Sequence, residues 1–212
     1  MSKETYYNFP IHLLKGFLID SDKCLNDIIL YSVYVNSLNI ESGTELERVE
    51  LTLKSFGLSG NVKEICKSAA KIYTNTPAKS AMSGINSKII YDYRTNFKTD
   101  FDKVCLLAFL AIKSIIANKA YCKIDNNFLW SRMDGNTKSV DVSELSDEVK
   151  VYANRYQIDK IKKELEEKYG FAFFFDFVKP TLNLTPFWVI FTGEHHPFRC
   201  FSIDDQSPRF YA

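Results

Sequence analysis

Apolar side chains recur along most of the chain at spacings of three and four, the period of an amphipathic helix. Pro10 suits the first turn of a short helix, Ile11–Leu18. A second helix is predicted over Asp22–Ser37, with Asp20 or Ser21 as its cap. Its apolar residues Leu25, Ile28, Ile29, Tyr31, Val33 and Val35 cover more than one stripe, so it belongs near the centre of the molecule. Gly43 and Thr44 open a third helix through about Phe56, with Leu46, Val49, Leu53 and Phe56 on one face, and Gly57-Leu58-Ser59-Gly60 ends it. A fourth, Asn61–Tyr73, aligns Val62, Ile65, Ala69 and Ile72. Residues 1–75 are therefore expected to form a helical unit.

The pattern then changes. Thr74–Asn86 is built of Thr, Pro, Ser and Gly and reads as a link, with a short element at Ser87–Tyr93, so that residues 76–98 separate two units. Phe101–Ala117 follows, rich in Leu, Ala and Ile, the strongest helical signal in the chain. Tyr121–Ile124 is a brief β-prone piece. Asp125 or Asn126 caps a short helix that ends near Met133, where Asp134-Gly135 stops it. Asn136–Glu148 is a polar loop. Tyr152–Tyr169 is a helix with Gly170 at the expected C-terminal cap. Phe171–Val178 and Phe187–Thr192 are aromatic and β-branched strands, joined as a hairpin across Pro180 and Thr181–Pro186. Residues 194–212 form a C-terminal tail. The expected class is α+β, mostly α.

Composition adds constraints. A hydrophobic fraction of 46% in 212 residues is enough for a sizeable core, and 25% charged residues is ordinary for a folded domain. The 17 Phe and 12 Tyr suit both cores and partner-binding surfaces. The net charge of +1 conceals a split. Residues 1–50 carry four basic against eight acidic side chains, residues 51–97 seven against two, and the remainder balances. Such poles orient a partner or a neighbouring copy. The five cysteines are odd in number, with no CxxC spacing, and Cys24, Cys66 and Cys105 fall on apolar helix faces. They read as small buried thiols of a reducing compartment. MSKETYYNFP lacks the pattern of a secretory leader, and the apolar run Val104–Ile116 is too short to span a bilayer. A cytoplasmic protein without a membrane partner is expected.

From about Asp100 to Gly193 the order is helix, short strand, helix, loop, helix, strand, loop, strand. This order resembles a winged helix-turn-helix. YCKIDNNFLWSRMDG is similar to the first strand and second helix of that family, and RYQIDKIKKELEEKYGFAFFF to its third helix running into the wing. Residues 99–193 are thus expected to form a winged-helix-like domain with a β-hairpin wing. The loop at Asn136–Glu148 is longer than in DNA-reading members, and the wing loop Lys179–Pro186 has a single basic residue. The wider sequence resembles uncharacterised proteins of bacterial mobile elements or phages.

The resemblance implies a role for the third helix. With Ile158, Ile161 and Leu165 facing the core, helical geometry places Tyr156, Lys160, Lys163 and Glu167 opposite them, with Arg155 and Gln157 flanking that face near the N-terminus. Residues of these types read base edges and phosphates in recognition helices. The candidate nucleic-acid-binding set is therefore Arg155, Tyr156, Gln157, Lys160 and Lys163. Against it, Asp159–Lys163 and Lys163–Glu167 are spaced as solvated ion pairs, and Glu164, Glu166 and Glu167 repel phosphate. Lys63, Lys67 and Lys71 form a second basic stripe, suited to phosphates, to an acidic face of another copy, or to solvent.

Glu194, His195, His196 and Cys200 bring metal-ligating types together without a second ligand pair, so no metal is expected. No Gly-rich phosphate loop, GxSxG or HExxH occurs, and no cofactor or enzymatic activity is expected. The expected function is non-enzymatic binding of nucleic acid, with double-stranded DNA as partner, as a regulator or replication accessory of a mobile element. The alternative is a protein–protein interaction module, binding a protein partner or itself, that uses the same scaffold without DNA.

Overall fold

The computed structural model describes residues 5–96, 98–117, 119, 121–175 and 188–192. In chain order, β1 (Tyr6–Pro10) runs into a 3-10 turn at Ile11–Leu14 and is followed by α1 (Ser21–Leu38), α2 (Glu45–Ser55) and α3 (Val62–Thr74). Then come β2 (Met82–Asn86), α4 (Ser87–Thr95), α5 (Asp100–Ile116), β3 (Tyr121–Ile124) and α6 (Asn126–Met133). A 3-10 turn at Val142–Glu144, the one-turn α7 (Asp147–Lys150), α8 (Arg155–Tyr169), β4 (Phe171–Phe175) and β5 (Trp188–Thr192) complete the order. The class is α+β, mostly α. No helix among the described residues is long and apolar enough to cross a membrane.

Helix starts lie where short polar side chains meet orphan backbone N–H groups. Asp20 accepts from Lys23 N at 2.9 Å, and Asp125 from Phe128 N at 2.7 Å. Thr44 and Glu47 form a reciprocal capping box at α2, as Thr99 and Asp102 do at α5. Each cap is worth about 1 kcal/mol. Gly170 ends α8 at φ 66°, a left-handed conformation in which a side chain is strained.

The hydrophobic centre is α5. Val104 through Ile112 are all buried, so the helix is apolar on every side. β2, β3, α6 and α8 pack against it. One continuous core runs from Tyr7 and Phe9 of β1 through α1 and α5 to Ile158, Ile161 and Leu165 of α8 and Ile190 of β5. Trp130 of α6 is 2% exposed in this core. A smaller cluster of Val33, Val49, Leu53 and Cys66 holds α1, α2 and α3 together. Cys24, Cys66, Cys105 and Cys122 are buried free thiols. Burial pushes the thiol pKa of Cys24 and Cys122 up to about 11 and that of Cys105 up to about 12.

Two antiparallel sheets flank α5. The first pairs β1 with β2, Tyr6 opposite Asn86 and Pro10 opposite Met82. A Cβ at Gly84 would run into the Tyr6 ring, so only glycine lets that ring lie across the strand. Ser83 Oγ ties β2 to α5 by donating to the Leu110 carbonyl at 2.6 Å. The second sheet has the order β3-β5-β4, with β5 between its two neighbours. Tyr121 lies opposite Phe191, Ile124 opposite Trp188, and Phe171 opposite Thr192.

The structure departs from the sequence reading at three places. The helix expected at Ile11–Leu18 is a single 3-10 turn, because Pro10 closes a strand. Within residues 76–98 the short element expected at Ser87–Tyr93 is α4, but Met82–Asn86, expected as link, is the strand β2, which pairs with β1. The helix expected from Tyr152 begins at Arg155, where Asn154 accepts from Gln157 N at 3.0 Å. The polar loop before it is pinned by Leu145 and Val149, each 3% exposed.

Candidate nucleic-acid interface

α8 is held by its apolar stripe and by its C-terminal end. Ile158, Ile161 and Leu165 are buried in the core. Tyr169 stacks on Phe109 of α5, ring centroids 4.4 Å apart, and Phe109 meets Phe171 at 5.8 Å. Lys168 Nζ lies 2.8 Å from Asp102 Oδ1 at the start of α5 and also pairs with Glu164. The lysine and the Thr99 cap hold the Asp102 carboxyl well below the usual carboxylate range. These contacts fix the helix from one side and leave the other to solvent.

The five residues singled out from the sequence lie on the outer side of the first three turns. Arg155, Tyr156, Lys160 and Lys163 are exposed, Tyr156 at 65%, and Gln157 is half-buried beside them. Lys160 Nζ sits 4.3 Å from the Tyr156 ring centroid, a cation–π contact that props both side chains outward. Lys163 Nζ is 3.9 Å from Glu167 Oε1, a loose pair at a surface where such pairs are worth little.

Charge is uneven along α8. Arg155–Lys163 carries four basic side chains against Asp159, whereas Glu164–Tyr169 carries Lys168 against three glutamates. The basic half is also the N-terminal half, where the helix dipole adds partial positive charge. Lys162 is the one basic residue there that points inward, 6% exposed, and burial pulls its pKa down to about 7. Sequence reasoning gave no sign of this, because Lys162 stands between Ile161 and Lys163 in a run that reads as surface. Lys63, Lys67 and Lys71 are exposed along α3.

Among the described residues no group of three or more His, Cys, Asp or Glu side chains is placed to hold a metal ion. Glu194, His195, His196, Cys200 and the loop Lys179–Pro186 lie outside the described residues. Comparison with protein-family models, with curated proteins and with solved structures found no match.

Proposed function

We propose that the chain is a non-enzymatic DNA-binding protein in which residues 99–193 form a winged helix and α8 is the recognition helix. The observation that carries this reading is the strand order β3-β5-β4 beside α5, α6 and α8, with the basic N-terminal face of α8 left exposed. A strand between the first and second helices that pairs with the last strand, which in turn pairs with the one leaving the third helix, is the connectivity such a domain requires. Arg155, Gln157 and Tyr156 then meet base edges, and Lys160 and Lys163 meet phosphates.

Duplex binding at two salt concentrations tests the proposal. Each lysine that meets a phosphate contributes about one unit to the slope of log K against log salt, so Lys160→Ala plus Lys163→Ala lowers the slope by about two. No micromolar affinity for any duplex at about 50 mM salt, where phosphate contacts are least screened, overturns it. A second reading, a scaffold that binds protein instead, is favoured by the exposed apolar side chains Val151 (66%) and Tyr156 (65%) at the N-terminal end of α8. It predicts unchanged weak duplex binding in the double variant.

A further inference from the structure

An open cavity of about 760 Å³ lies between the end of α5, β3 and α6, away from the outer face of α8. Its lining mixes the cations Lys119, Lys123 and Arg132 with the apolar side chains Ile115, Tyr121 and Phe128. Its size is that of small-molecule pockets. Arg132 is the unusual member. It is 8% exposed, and its Nε and Nη1 are buried without a hydrogen-bond partner. Its guanidinium carbon stands 4.7 Å from the Phe128 ring centroid, one turn earlier on α6, a cation–π contact that holds the group in place. Burial lowers the Arg132 pKa.

A buried guanidinium with unmade hydrogen bonds is costly to the fold unless something answers it. Among the described residues the cavity lining includes no carboxylate to do so. An anion in the cavity would accept from Arg132 once its guanidinium turns toward the opening, since Nε and Nη1 are closed to solvent where they lie, and it would be flanked by the Lys119 and Lys123 ammonium groups. Three cations around one space match a dianion better than a single carboxylate, and Arg recognises phosphate oxygens with charge-assisted hydrogen bonds. The Tyr121 and Phe128 rings and Ile115 offer an apolar wall to a flat group attached to it.

We propose that the cavity bounded by α5, β3 and α6 binds a small phosphomonoester carrying a planar ring, with Arg132 as its principal anchor and Lys119 and Lys123 as flanking cations. The site stands apart from the DNA reading and does not depend on it.

The test uses the full chain with adenosine 5′-monophosphate, inorganic phosphate, adenosine and benzoate, at constant ionic strength, by calorimetric titration and thermal melting. Adenosine 5′-monophosphate and phosphate bind and raise the melting temperature relative to chloride, and adenosine binds more weakly than its phosphate. Arg132→Met lowers affinity for the monophosphate at least about tenfold, the loss expected for charge-assisted hydrogen bonds. It melts no lower than the parent without ligand, because an unanswered charge is removed from the interior. Should Arg132→Met fail to fold, Lys119→Ala plus Lys123→Ala is read instead, and it too weakens the monophosphate. Lys160→Ala plus Lys163→Ala leaves this affinity unchanged, which separates the site from α8. The proposal is overturned if phosphate and the monophosphate stabilise no more than chloride, if neither cavity variant loses affinity, or if benzoate binds as tightly as the monophosphate.

Discussion

Removing the Asp102 carboxylate tests how α8 is held. Asp102 Oδ2 accepts from Thr99 N at 2.9 Å and from Thr99 Oγ1 at 2.6 Å, and Oδ1 accepts from Lys168 Nζ at 2.8 Å. One side chain therefore closes the N-terminus of α5 and fastens the C-terminus of α8. Asp102→Ala forfeits its half of the capping box, about 0.5–1 kcal/mol. It also forfeits a favourable charge in the first turn, about 0.5 kcal/mol. The ion pair adds about 0.5–1 kcal/mol: the Asp102 side chain is 24% exposed, but that of Lys168 is 51% exposed and solvent screens the pair. The total is about 2 kcal/mol. Urea melts of Asp102→Ala, Lys168→Met and the double variant isolate the pair as a coupling energy of about 0.5–1 kcal/mol, smaller in 1 M salt. Asp102 has a depressed pKa when folded, so its contribution is present above the unfolded carboxylate value of about 4 and is lost as pH falls below it. Lys168 has a raised pKa, so its share is present below about 10.4 and is lost at higher pH. A coupling energy indistinguishable from zero at neutral pH and low salt refutes the idea that this pair positions α8.

Two further predictions concern the core. Trp130→Ala, at a site 2% exposed, costs about 3–5 kcal/mol in denaturant melts, and a loss under about 1 kcal/mol would contradict its place against α5. Lys162, whose folded pKa is near 7, makes stability rise with pH between about 7 and 10.4, because the unfolded chain there holds a proton that the folded chain has released. The slope is at most about 1.4 kcal/mol per pH unit, it is absent in Lys162→Met, and equal slopes in the two proteins would disprove the burial of that amine.

What the sequence made legible was local. Asp20, Asp125 and Gly170 stand where caps were expected, because a cap is set by its own few residues. The buried stripe Ile158, Ile161, Leu165 and the exposed Tyr156, Lys160 and Lys163 follow from helical period alone. The β1–β2 sheet was not legible. MSGIN has little strand propensity, and it is extended because Tyr6–Pro10, far away in sequence, supplies its hydrogen-bond partners. Arg132 was hidden for a related reason. A basic residue in the last turn of a short helix is the normal surface pattern, and its burial arises from the packing of α6 against α5. The cavity beside it is lined by three elements and has no single stretch of chain that announces it.

The β1–β2 pairing changes how the first third of the chain relates to the rest. The path leaves this clasp after Leu14, travels out through α1, α2 and α3, and returns to it at Met82. α2 and α3 form their own small cluster with Val33 of α1, whereas Tyr7, Phe9 and Ile85 at the clasp belong to the main core. The excursion therefore begins and ends at nearly the same point in space, the arrangement in which an inserted segment can change length at modest entropic cost. Within it, α2 and α3 have room to diverge among copies of this architecture except at Phe56 and Ile72, which pack on the main core. The ten residues before the excursion have no such freedom, since shortening the chain at that end would strip a wall from the main core rather than trim a tail.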